Sequence, residues 1–186
     1  MAYTLELVQK LTMMKNVWHL SRTDGPPVPM GTIEQARMKL REEVRCRTAD
    51  GSGTLFTIKA RKIVELASTY DVTAGDGTPI GTMAKDFRAS LGRSTYRVET
   101  PAGTWTVTET SAAKAIARRV VGVATDLPWL FRVQFSILDA SGRQVGHVNR
   151  ANMKIKDTYE IRVEDDALDQ RMAAAIGVAV DAFMNR

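Results

Sequence analysis

Two hydrophobic patterns divide the chain. From residue 44 onward apolar side chains recur at alternate positions in short runs, and turns containing glycine separate the runs. Such alternation puts one face of a strand into a core. The first copy reads Val44-Arg45-Cys46-Arg47, turns at Ala49-Asp50-Gly51 and returns through Leu55-Phe56-Thr57-Ile58. A second runs from Tyr70 to Thr73, turns at Gly75-Asp76-Gly77 and returns from Ile80 to Met83. A third joins Tyr96–Glu99 to Trp105–Val107 through Pro101-Ala102-Gly103, and a fourth joins Phe135–Leu138 to Val145–Val148 through Ala140-Ser141-Gly142. Glycine in these turns supplies the positive φ that tight hairpins need. The first three copies begin 26 residues apart and the fourth 39 residues later. The extra length holds Ser111 to Gly122, read as a short helix inserted between hairpins. A last strand, Tyr159 to Val163, follows.

The second pattern closes the chain. Met172 to Met184 reads MAAAIGVAVDAFM, with Asp181 as its single charge. A helix apolar all round is buried on every side, and this run falls short of the ~20 apolar residues that span a bilayer. The pattern predicts a helix over roughly 167–185. Glu164, Asp165 and Asp166 precede it, where negative charge suits a helix N-terminus. Repeated hairpins with one buried terminal helix predict a mainly β (α+β) fold: a closed antiparallel barrel around that helix.

Before the repeats the reading changes. Leu7, Leu11, Met14 and Trp18 follow helical spacing, so residues 3–20 read as an amphipathic helix. The stretch SRTDGPPVP, with Gly25, Pro26, Pro27 and Pro29, then reads as a linker. This divides the chain into an N-terminal helical extension with a proline-rich linker, 1–29, and a barrel domain, 30–186. It also makes the extension removable; its helix either packs back on the barrel and closes one end, or serves as a docking arm for a protein partner or a second copy, a peripheral membrane anchor being disfavoured by its few Lys and Arg. Residues 32–43 fit a helix, through a capping box from Thr32 to Gln35, or a strand in which Ile33 and Gln35 alternate.

Charge and composition add less. Twenty-six Lys and Arg against 21 Asp and Glu give a net charge of +5, a mild attraction for anionic surfaces. A single cysteine, Cys46, excludes an internal disulfide and fits a reducing, cytoplasmic setting. The opening residues carry no leader pattern. Two histidines, His19 and His147, are too few for a histidine-rich metal site. Neither neighbours Cys46 in sequence, so no nucleophile–base pair is legible, and the expected default for Cys46 is an inert buried thiol.

The stretch from Ile33 to Met83, the block LPWLFRVQFSILDASGRQVGHVNR and the final DTYEIRVEDDALDQRMAAAIGVAVDAF resemble the LURP-one-related proteins, which share a fold with tubby C-terminal domains and phospholipid scramblases. The resemblance covers about 33 to 184. It implies a tubby-like barrel of about twelve strands around the central helix, and a strand rather than a helix at 32–43. Functions in that group are divided between phosphoinositide binding, lipid movement and defence, and the resemblance assigns no site residue; for lack of a nucleophile–base or metal set the expectation is a non-enzymatic barrel with no cofactor, an enzyme of unknown type using the barrel mouth being the remote alternative.

Candidate residues come from the sequence alone. Lys114 and Arg118 share a face at i and i+4, and Arg119 is adjacent. With Lys85, Arg88 and Arg93 they make a basic set suited to phosphate head groups, or a plain solvated face. The expected partner is an anionic phospholipid surface, with the protein cytoplasmic and peripheral to the membrane. Nucleic acid is disfavoured, because the charge is scattered and no recognition motif occurs. No calcium-loop motif is present, and no metal site is expected. The acidic run through Asp169 reads as helix-start charge, and Asp181 as a lone acid at the barrel mouth or paired with an arginine.

Overall fold

The computed structural model of the protein describes residues 1–11, 15–36, 43–61, 69–86, 94–110, 134–151 and 158–184. They form twelve strands and one helix. The strands are β1 (Tyr3–Leu11), β2 (Lys15–Arg22), β3 (Val28–Ala36), β4 (Glu43–Thr48), β5 (Thr54–Ala60) and β6 (Thr69–Ala74). They continue as β7 (Pro79–Lys85), β8 (Thr95–Thr100), β9 (Gly103–Glu109), β10 (Gln134–Leu138), β11 (Gln144–Ala151) and β12 (Thr158–Val163). The helix α1 is Gln170–Met184. Every strand pairs antiparallel with its sequence neighbours, and β1 pairs with β12, so the sheet closes into a barrel. Closure leaves no edge strand with unpaired backbone groups.

The expected helix at 3–20 is corrected: that segment supplies β1 and β2. Leu7 and Leu11 are four residues apart, a spacing that keeps one face in a helix and also keeps one face in a strand. The strand reading carries the full pattern, since Tyr3, Leu5, Leu7 and Gln9 all point inward and are buried, and so are Trp18 and Leu20 on β2. The proline-rich stretch is the connection to β3 rather than a linker, and Pro29 already lies in that strand, opposite Ser21. β3 also resolves the ambiguity at 32–43 as strand as far as Ala36. The four hairpins sit where the alternation places them, with Gly51 and Gly77 at φ 72° and 88° in their turns.

Inward-facing residues of β1, β5, β6, β7 and β12 pack against α1 inside the barrel. Ala173, Ala174 and Ala175 are fully buried, and Ile176 and Val178 nearly so. Small residues let the wall approach closely. A Cβ on Gly177 would lie 2.5 Å from Ile161 Cδ1 and 2.6 Å from Leu7 Cδ1, so glycine is what fits between β12 and β1. Gly81 plays the reciprocal part on β7: a Cβ there would meet Glu99 O at 2.3 Å and Met172 Cε at 2.6 Å. The helix begins at the end of the barrel where β1 starts and β12 finishes, here called the floor, and runs toward the opposite end, the mouth.

Tyrosine hydroxyls on adjacent strands hold α1 near both ends. At the floor, Tyr3 Oη on β1 donates to Leu168 O at 2.6 Å. Near the mouth, Tyr159 Oη on β12 donates to the Asp181 carboxylate. A third tie comes from β9, where Trp105 Nε1 donates to Asp165 Oδ2 at 3.0 Å.

Candidate functional site

The described part of the interior is lined by large side chains. Besides α1, the barrel wall carries inward-facing rings such as Trp18, Phe56, Phe135 and Tyr159, all essentially unexposed. A cavity between the mouth half of α1 and strands β6–β9 is lined by Tyr70, Met83, Lys85, Tyr96, Ile176 and Val180 among others. Its lining is apolar and it has room for little more than one water.

The two ends differ sharply. The floor is made of short described connections. Four of its hairpin turns carry Asp24, Asp50, Asp76 and Asp139, each close to backbone N–H groups or a basic side chain. Arg22 holds the Asp24 carboxyl down to about 2. Hydrogen bonds from the side chains of Thr48 and Ser52 and the Ser52 backbone bring Asp50 to about 2 as well. The Thr78 backbone lowers Asp76, and the Ser141 hydroxyl lowers Asp139. These carboxylates are fully ionised at neutral pH. The turn before α1 adds Glu164, Asp165, Asp166 and Asp169.

That last acidic run does what a helix start requires. Asp169 precedes the first helical residue, its Oδ1 accepts from Arg171 N at 2.7 Å, and its carbonyl accepts from Ala173 N at 2.9 Å. This is N-cap geometry. Burial opposes ionisation of Asp169, yet the Arg171 guanidinium and backbone bonds outweigh it and hold the carboxyl below its usual range. Asp166 meets the chain's terminal ammonium at 2.8 Å. Among the described residues no group of three or more histidine, cysteine, aspartate or glutamate side chains could hold a metal ion.

At the mouth the chain leaves and returns through six connections, most of them longer than the floor turns. Strand ends place there the links through residues 12–14, 37–42, 62–68, 87–93, 111–133 and 152–157. By sequence these links carry twelve lysines and arginines against four acids, whereas the floor connections carry eight acids against one arginine, Arg143. Lys114, Arg118 and Arg119 belong to the link between β9 and β10, and they lie outside the described residues, as do Arg88, Arg93 and the inserted helix expected at 111–122. Lys85 is described: it ends β7, half-buried, beside the small apolar cavity.

Inside the mouth sits a polar layer that alternation alone did not single out. Asp181 is 1 % exposed and Glu109 4 % exposed, with Gln9 and Gln35 also buried on inward positions. The expected arginine partner for Asp181 is joined or replaced by a tyrosine: Tyr159 donates to it, while the Arg150 guanidinium lies 5.9 Å from the Tyr159 ring centre. Tyr159 could have been found from its parity with Ile161 and Val163, which fixes it as inward. Arg150 gave no such signal.

Cys46 is fully buried on β4, and burial pushes its thiol up to about 12. His19 is exposed on β2, and His147 lies on the outer side of β11 with Nε2 3.8 Å from Glu160 Oε1. The inward thiol and the outward imidazoles do not form a nucleophile–base pair.

The described residues thus form a mainly β protein, a closed twelve-stranded antiparallel barrel around its own C-terminal helix. The chain belongs to the LURP-one-related family, whose profile matches residues 30–181. No curated protein sequence and no solved structure matches it. No helix among the described residues is long and apolar enough to cross a membrane.

Proposed function

We propose that the protein is a non-enzymatic, cytoplasmic barrel that binds anionic phospholipid at a membrane surface, directly or as a membrane-associated adaptor, with Lys114, Arg118 and Arg119 as its principal contacts. The observation that supports this is the separation of charge along the barrel axis: bases concentrate in the mouth links and acids in the floor turns. Each Lys or Arg brought to an anionic bilayer contributes ~1 kcal/mol. Three together reach useful affinity only with further help, which the neighbouring apolar Val120 and Val121 can supply; in the competing account Ile116, Val120 and Val121 pin this link to the barrel wall and leave the charges in water.

The test is sedimentation with vesicles of one part phosphatidylserine to two parts phosphatidylcholine. The triple change of Lys114, Arg118 and Arg119 to alanine should abolish sedimentation at low salt and leave the melting temperature almost unchanged. Wild-type protein that ignores such vesicles would remove lipid from consideration and favour a soluble interaction module.

A further inference from the structure

The proline-rich stretch between β2 and β3 stands out on the floor of the barrel. We propose that Pro26-Pro27-Val28-Pro29 is a docking ridge for a partner protein, one whose binding domain carries an aromatic-lined groove for left-handed polyproline helices. Such docking is independent of lipid binding.

Residues 24–29 are exposed without exception. Val28 is 57 % exposed, and Met1 is the other large hydrophobic side chain exposed among the described residues. A connection that merely reversed the chain would carry polar or glycine residues there. The three prolines fix φ at about −65°. A residue that precedes proline is kept extended, which covers Gly25, Pro26 and Val28, so Pro27 alone keeps a free ψ. The chain bends over 24–26 and then runs extended into β3. A φ fixed by proline with an extended ψ is the polyproline II region. A ridge of this kind offers apolar rings with few backbone donors, and aromatic-lined grooves recognise that surface.

The base of the ridge is fixed. Arg22 clamps the Asp24 carboxylate with two bonds, Nε to Oδ1 at 2.6 Å and Nη2 to Oδ2 at 2.7 Å. Thr23 N donates to Thr4 O at 2.8 Å. On one flank β3 lies against β2, with Val28 opposite Arg22 and Pro29 opposite Ser21. On the other flank pairing with β4 begins only at Gly31, opposite Thr48. Val28, Pro29 and Met30 therefore overhang β4, which leaves one side of the ridge open to a partner. A ligand held rigid in this way loses little conformational freedom on docking. Edge protection accounts for Pro29, which has no N–H to offer an intruding strand. It does not account for Pro26 and Pro27, which precede the strand, or for an exposed valine between prolines.

The experiment immobilises a panel of isolated WW, SH3 and EVH1 domains and passes the full chain over them, read by surface plasmon resonance. At least one domain should bind, and a synthetic polyproline peptide should displace the chain from it. The double change Pro26→Ser with Pro27→Ser, and Val28→Ser alone, should each weaken that binding about tenfold or more, as loss of an anchor does. Positions 26 and 27 lie ahead of β3 and Val28 is exposed, so circular dichroism should show an intact barrel in both variants. Binding by no member of the panel would overturn the ridge as a docking site. So would binding that survives both sets of changes or resists polyproline, because the contact would then lie elsewhere. A native sheet signal lost in both variants would overturn it too, since the stretch would then serve the fold.

Discussion

Asp181 is the most constrained single residue. A carboxylate with 1 % exposure would cost several kcal/mol unless polar groups answer it. Tyr159 gives one such answer from β12, across the same seam that Gly177 keeps narrow. Tyr159→Phe keeps the ring and deletes the donor. Loss of a partner to a buried group costs roughly 1–3 kcal/mol, which for a chain of this size means a fall of roughly 2–12 °C in Tm. Calorimetry should register that fall without a change in sheet content; an unchanged Tm would mean that Asp181 does not depend on the tyrosine. At this scale the sequence was informative in an uneven way. The parity of Tyr159 was readable, but the partner of Asp181 was not, because pairing across a barrel depends on register between β12 and a helix turn rather than on local spacing.

Among the elements, α1 is the one whose burial is nearly complete, and the wall leaves it no slack. Ala175 is fully buried in the middle of the helix. Ala175→Glu would place an unpaired charge there, at a cost of several kcal/mol, against a total stability of about 5–15 kcal/mol for a domain. The variant should be recovered only as insoluble material; a soluble variant with a cooperative melt would contradict a central helix. β1 and β2 are the second sensitive point. The family match begins at residue 30, yet β3 pairs with β2 and β12 pairs with β1. Deleting residues 1–29 removes two strands, opens the wall and exposes Leu168 and the flank of α1. Circular dichroism of such a truncation should show loss of the native sheet signal, and a folded truncation would mean that the remaining ten strands can close by themselves.

For the whole molecule, the closed barrel and its buried helix followed from two visible periods, while the two N-terminal strands that complete it, β1 and β2, did not. Helical and strand patterns coincide at a spacing of four, so Leu7 and Leu11 supported either element. The link Thr12-Met13-Met14 between β1 and β2 contains no glycine or proline to betray a hairpin. The charge separation between the ends was equally hidden, although every residue in it was in view. Bases and acids alternate along the chain because successive links fall at opposite ends, and only the up-and-down order sorts them into two groups.

The seam between β1 and β12 also bears on how the chain reaches its native state. Tyr3 sits opposite Val163 and Val8 opposite Thr158. A chain emerging from synthesis must carry the open edge of β1 until the last strand arrives, and the helix that fills the centre follows later still. Local hairpins can form early, but sealing the cylinder means closing a loop of nearly the entire chain, the kind of long-range contact that slows folding into the millisecond-to-second range. Until then the partly built sheet is an adhesive surface with two unsatisfied rims, so the interval before closure is when this protein is most exposed to aggregation.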